Sequence, residues 1–406
     1  MKKWKTQVDS YYDSLPEESK EFLDKAIASI IEAKKRGGKV VVATGSGPNL
    51  HEGVTTLIAH LMDKGIVDGV TTSSAVIAHE MGGTLDRVKR IPVPGSKVEG
   101  LVDPDKLPRN DIFELTMMED AEWKALEKEM WIDKELVTAC EESDGQVIIK
   151  AAGNMAYPMG LRTETVSNTV LEVARACGRP FEEVVGWGCD RKTMLGMGAE
   201  KGLPVLVSIP QLVGGGYVGI AIGDSISINE RSARIADMMA SADVIIESAV
   251  VLTQEIHDGP LETFTGHGIW SHWNGLNTYS LKEKSLIRFD LDDNLKRAWD
   301  MDKKGGDIQR AIEQGLPKTK MSKIPFRMEM SAFSRLEKSI PVIGDIGVLW
   351  PIVAYRVAEA LDINLEFLSH PQQTEEGKAM REKIVSDTHA LDLEKLYAVS
   401  RNHKFH

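Results

Sequence analysis

Between Thr253 and Trp273 the chain reads TQEIHDGPLETFTGHGIWSHW, which crowds Glu255, His257, Asp258, Glu262, His267, Trp270, His272 and Trp273 together. Histidine titrates near neutrality, so His257 or His272 could take up or release a proton, with the neighbouring carboxylates tuning it. Acids beside an aromatic ring such as Trp270 also suit a cationic amine. Glu255 and Asp258 would then hold that cation. A metal centre built on His257, His267 and His272 is the competing chemistry. The stretch has neither an H-E-x-x-H nor a cysteine pair, so no metal is expected. The same histidines could also be satisfied structural groups.

Three glycine- or hydroxyl-rich loops offer a second kind of chemistry. Gly45, Ser46, Gly47, Pro48 and Asn49 follow the apolar run VVVAT. Glycines let a backbone approach a ligand closely, and a following helix N-terminus attracts phosphate. The dinucleotide fingerprint wants a third glycine where Leu50 stands, so this loop by itself could equally be a plain strand-to-helix turn. Thr71, Thr72, Ser73 and Ser74 could bond a ribose or a phosphate, or could cap the next helix. His79 and Glu80 fall one or two turns into that helix, facing either a neighbouring site or water. Gly214, Gly215 and Gly216 follow a buried strand, where a backbone must pass something closely or serve as a lid.

Such loops need a frame, and the periodicity supplies one. Residues 16–36 place Phe22, Leu23, Ala26, Ile27, Ile30 and Ile31 at helical spacing, with lysines at the end and glycines closing it. Short apolar runs at 40–43, 69–72, 146–150, 202–209, 243–248, 284–290 and 340–345 read as strands. Helices are expected at 53–64, 167–177, 229–242 and 348–361, and residues 98–135 read as loops with one helix at 119–130. Runs alternating with helices signal βαβ units and a parallel sheet. The expected architecture is α/β, with a doubly wound, mostly parallel sheet. Residues 1–37 form an N-terminal helical extension and 38–406 one large domain.

Composition bounds the classes. The chain has 406 residues, 42% of them hydrophobic and 27% charged, as in a globular protein with a large core. Its net charge of −12 argues against nucleic acid or an anionic membrane as the main partner. Cys140, Cys177 and Cys189 are the only cysteines and lack metal-type pairing, which fits a reducing compartment. MKKWK runs on into QVDSYYDSLPEESK without the apolar stretch of a signal peptide, and no run of about eighteen apolar residues occurs. A cytoplasmic location is expected.

Four stretches, in order, resemble the deoxyhypusine synthase family: LIAHLMDKGIVDGVTTSSAVIAHE, AEKGLPVLVSIPQLVGGG, SADVIIESAVVLTQEIHDG and IPVIGDIGVLWPIVAYRV. The matches are scattered from about residue 38 to 273, with a further one at 340–357. That resemblance implies a Rossmann-like fold, NAD as cofactor and a homo-oligomer, a tetramer in the family. It assigns NAD contacts to Ser46, Gly47, Asn49, Thr72, Ser73, Ser74, Glu80 and Asp345, and amine contacts to Glu255 and Asp258. The family's Trp-x-Lys corresponds to Trp270-Ser271-His272, so histidine stands where an imine-forming lysine would be. The aspartate of the family's L-T-D-G-S is replaced within Val213-Gly214-Gly215, and residues 274–339 read as an insertion. SLIRFDLDDNLKRAWD is similar to the NAD-using domain of fused ornithine cyclodeaminases, although that domain's cysteine would fall near Gly198 or Ala199.

The expectation is an NAD-dependent enzyme that oxidises, deaminates or transfers from an amine-bearing small molecule, polyamine- or amino-acid-like, without a lysine imine. NAD would lie over Gly45, Ser46, Gly47 and Asn49, over Thr72, Ser73 and Ser74, and near Gly215. The alternatives are a nucleotide-binding regulatory or assembly protein that has lost the chemistry, and a metal-dependent hydrolase.

Overall fold

The computed structural model describes residues 2–107, 111–153, 155–249, 272–273, 276–277, 281, 283–306, 310–311, 313–317, 323–324 and 337–402. Strands β1 (Val40–Thr44), β2 (Gly69–Thr72), β3 (Leu85–Pro92), β4 (Ile112–Thr116), β5 (Gln146–Ala151) and β6 (Val205–Val207) come first. They are followed by β7 (Val244–Ser248), β8 (His272–Trp273), β9 (Leu276–Asn277), β10 (Ser285–Asp290) and β11 (Ser339–Ile343).

The central sheet has six strands in the order β11-β10-β7-β1-β2-β6, and every pairing in it is parallel. From β1 the chain builds outward through β2 and β6; from β7 it builds the other way through β10 and β11. The order therefore reverses between β1 and β7, which is the Rossmann-like, doubly wound arrangement. Residues of β1 alternate between two cores, as a sheet covered on both faces requires. Val40 and Val42 join Val70, Ile246 and Phe289 beneath helices Glu17–Lys35, Val54–Asp63 and Ile346–Ala360. Val41 and Ala43 join Ile245 and Leu286 beneath helix Ile228–Ser241.

Between β2 and β6 the chain makes a separate antiparallel sheet, ordered β4-β3-β5. Its core is a small cluster that includes Ile91, Val98, Leu115, Leu136 and Cys140. Here sequence and structure diverge. The stretch expected to be loops holds β4, and its helix is shorter, Asp120–Leu126. β3 escapes detection because its buried apolar residues, Leu85, Val88 and Ile91, recur every three positions among charges, which hides a strand's period of two. The run at 202–209 also narrows to β6. Gly202, with φ of +65°, closes helix Met194–Lys201, and a 3-10 turn takes over at Ile209–Gly215.

Among the described residues no helix is long and apolar enough to cross a membrane.

Candidate functional site

Ligands of open α/β sheets bind beyond the carboxyl ends of the strands where the order reverses. That point lies at the ends of β1 and β7. After Thr44 the chain passes a buried Gly45 and a half-buried Ser46 into Gly47, with φ of +68° and ψ of −114°, a conformation L residues avoid. Beyond its own chain neighbours no atom lies within 4 Å of where a Cβ on Gly47 would sit, so open space and backbone angle, not packing, explain this glycine. Pro48–His51 then forms a single turn before Gly53 opens helix Val54–Asp63.

Asn49 is fully buried and ties the crevice together. Its side-chain oxygen accepts from the Ser248 hydroxyl at 2.5 Å, and its amide donates to the Ser248 carbonyl at 3.4 Å. The same hydroxyl accepts from the Trp350 indole at 2.8 Å, and Trp350 packs edge-on against Phe289. On the neighbouring helix Asp345 caps Ile346–Ala360 by accepting from the Gly347 amide at 2.8 Å. Beside it, Glu52 accepts from the Gln372 amide at 2.7 Å, and burial together with Asp345 raises its carboxyl above the usual range.

At the end of β2 the hydroxyls are divided between two uses. Those of Thr71 and Thr72, with that of Ser208 beyond β6, are buried and make no hydrogen bond. The Ser73 hydroxyl instead accepts from the Val76 amide at 3.3 Å as the cap of helix Ser74–Met81. Ser74 donates to the Gln211 carbonyl and accepts from the Gly215 amide, both at 2.8 Å. A Cβ on Gly215 would sit 2.5 Å from the Ser74 carbonyl oxygen, so what this glycine passes closely is the protein's own backbone. Glu80 is fully buried, and its two oxygens accept from the Met194 and Leu195 amides at 2.9 and 3.0 Å. Burial pushes its carboxyl up to about 7. Its place is the first turn of helix Met194–Lys201.

A cleft of about 700 Å³ runs from Ser46 past His79, Gly153 and Glu164 to Gly214, Gly215 and Gly216. It joins two loops that the sequence separates widely. The His79 Nδ1 lies 2.8 Å from the Ala152 carbonyl, which can only accept, so Nδ1 carries the proton and Nε2 is the acceptor. Burial lowers the affinity of this ring for a second proton. Nearby His51 is pushed down to about 4 by burial and then by Arg381, whose guanidinium lies 3.4 Å from Nδ1.

Charge also enters the sheet itself. Glu247, Arg288 and Asp290 are buried at the carboxyl ends of β7 and β10, with Glu247 in register with Arg288 and an Arg288–Asp290 ion pair at 2.6 Å. Sequence reasoning did not single out these residues, nor Ser248 or Trp350. The available signal was polar residues ending the runs DVIIES and SLIRFD, where a strand buried on both faces should be apolar.

The structure thus gathers Ser46 and Gly215 on one cleft and Gly45, Gly47 and Asn49 at the strand-order reversal. Ser73, Ser74, Glu80, Asn49 and Asp345 spend side-chain atoms on the fold. His272 lies in β8, paired with Asn277 of β9. Glu255, His257, Asp258, His267 and Trp270 fall outside the described residues. Among the described residues no group of three or more histidines, cysteines or carboxylates could hold a metal ion.

The strand order defines a Rossmann-like, doubly wound α/β protein. No protein-family model and no curated protein matches the chain. Among solved structures it is similar to the apo form of ArgZ, an arginine dihydrolase from the ornithine-ammonia cycle in cyanobacteria. Identity is 12% and the TM-score 0.39, over 83% of this chain and 31% of that one. A conserved putative LOR/SDH protein from Methanococcus maripaludis S2 is 11% identical at a TM-score of 0.41, over 86% and 70% of the two chains. AgrE in a ternary complex with ornithine and NAD+ is 11% identical at 0.39, over 86% and 34%. The chain thus spans about a third of the length of ArgZ and AgrE.

Proposed function

We propose that this protein is an NAD-dependent enzyme acting on an amine-bearing small molecule, polyamine- or amino-acid-like, by oxidation, deamination or group transfer. The observation that carries the reading is the reversal of strand order between β1 and β7, at the loop of Gly45, Ser46, Gly47 and Asn49. The buried, unpartnered hydroxyls of Thr71, Thr72 and Ser208 at neighbouring strand ends fit a polar cofactor. When bound, NAD would supply a hydride acceptor. The backbone of Ser46 and Gly47 would hold it, with Thr72 beside it and Gly215 across the cleft. Glu255 and Asp258 would grip the substrate cation beside Trp270, and His272 or His257 would serve as general base.

The likeness to the deoxyhypusine synthase family supports the same reading, with histidine at 272 removing the imine-forming lysine, and it favours a homo-oligomer. Titration calorimetry of NAD against wild type and Gly47→Trp tests the cofactor: wild type binds and the variant does not. Undetectable binding to both overturns the reading. A second reading, a nucleotide-binding regulatory protein, is favoured by the structural commitments of Asn49, Ser74, Glu80 and Asp345. NAD-dependent turnover of an amine or amino acid that is abolished by His272→Ala would exclude it.

A further inference from the structure

A second cavity, of about 410 Å³, opens between helices Val54–Asp63, Met194–Lys201 and Glu375–Asp387, and shares no lining residue with the cleft. Its apolar lining comes from Met197, Phe367 and Ile384, of which Met197 and Ile384 are buried. Two further lining residues, Thr56 and Thr388, are 7% and 5% exposed, and neither hydroxyl has a hydrogen-bond partner. Such orphaned polar atoms are uncommon, because each costs the hydration it has lost.

The charges around the cavity are almost all matched. Lys64 pairs with Glu366 at 2.7 Å, Lys192 with Asp387 at 3.3 Å, and Arg191 with Glu200 at 3.2 Å and Asp63 at 3.6 Å. Asp63 is held again by Lys201 at 3.1 Å. His60 accepts from the Glu366 amide through Nε2 at 3.1 Å, and burial favours its neutral form. Lys383 is the exception: it is exposed, lines the cavity and makes no ion pair among the described residues. The site therefore combines an apolar floor, two buried hydroxyls without partners in its walls and one exposed lysine without a close ion pair among the described residues, in a volume suited to a small organic molecule.

We propose that this cavity binds a small amphipathic anion, an apolar body of several carbons with an anionic head held by Lys383. The site is independent of the cofactor reading, and its test needs no NAD. The probes are octanoate and, as the charge-reversed control, octylammonium, titrated near neutral pH into the full chain and followed by ligand-observed NMR and calorimetry. Octanoate should bind saturably, about tenfold or more tighter than octylammonium. Lys383→Glu, an exposed change, should weaken octanoate by a similar factor, and Lys383→Met should fall between. Absence of saturable octanoate binding below about 10 mM overturns the proposal. So does equal affinity for the two probes, or an octanoate affinity that Lys383→Glu leaves unchanged.

Discussion

The Ser248 hydroxyl, at the end of β7, donates to the side chain of Asn49 at 2.5 Å, just past the end of β1, across the point where the sheet reverses its order. Ser248 is also the acceptor for Trp350, so one hydroxyl ties the end of β7, the turn after β1 and a helix. Asn49→Ala would leave the Ser248 hydroxyl without its acceptor in a buried site. We expect a loss of about 1–3 kcal/mol in urea unfolding. NAD affinity should fall with it if the loop holds the cofactor. A variant as stable as wild type would show that the pin contributes nothing.

Ser74 holds the glycine loop in the same manner. Ser74→Ala removes the bonds to the Gln211 carbonyl and the Gly215 amide, so hydrogen exchange at Gly214, Gly215 and Gly216 should accelerate while the central strands stay protected. Gly215→Ala should be the harsher change. Its methyl meets the Ser74 backbone, and a melt should register about 1–3 kcal/mol of destabilisation.

Among the described residues the most deeply buried ion pair lies beside β6. Glu182 and Arg231 are both inaccessible; Glu182 also accepts from the Val207 amide at 2.7 Å, and Arg231 donates to the carbonyls of Ile222 at 2.9 Å and Val207 at 3.2 Å. Truncating either partner strands a charge without solvent. Glu182→Ala should therefore cost about 3–5 kcal/mol in chemical denaturation. By contrast, Lys25→Ala, which breaks an exposed and solvent-screened pair with Glu21, should leave the denaturation midpoint essentially unchanged.

Two half-buried groups give opposite pH signatures. Burial pushes the Asp86 carboxyl from 3.8 to about 7, so the folded state keeps a proton that the unfolded chain has released. Stability from this group is present below pH 3.8 and drains away as pH rises towards 7. Asp86→Asn still accepts from the Gly153 amide, and its melting temperature should gain on wild type across that window. His51 runs the other way. Its folded value is about 4 against 6.5, so acidification from pH 6.5 to 4 favours the unfolded chain, and His51→Gln should remove that acid sensitivity. Parallel pH profiles for wild type and variant would contradict either assignment.

The sequence by itself determined the class of fold and where the strands of the central sheet lie. Strands expected at 40–43, 243–248, 284–290 and 340–345 form within a residue or two, because runs buried on both faces need no partner's identity to be apolar. Helix Glu17–Lys35 likewise follows from its own apolar stripe and terminal charges. Tertiary structure alone decided the strand order, and with it that Gly45, Gly47 and Asn49 stand at the reversal. It also decided that β3, β4 and β5 form an antiparallel sheet, and that Glu80 and Ser74 serve the fold. The physical reason is distance along the chain. The partner of Asn49 is 199 residues away, that of Gly215 is 141 and those of Glu80 are 114 and 115. Local periodicity reports which face of an element is apolar. Which buried polar atom meets which other is settled only when distant elements pack, because only then does each lose its water.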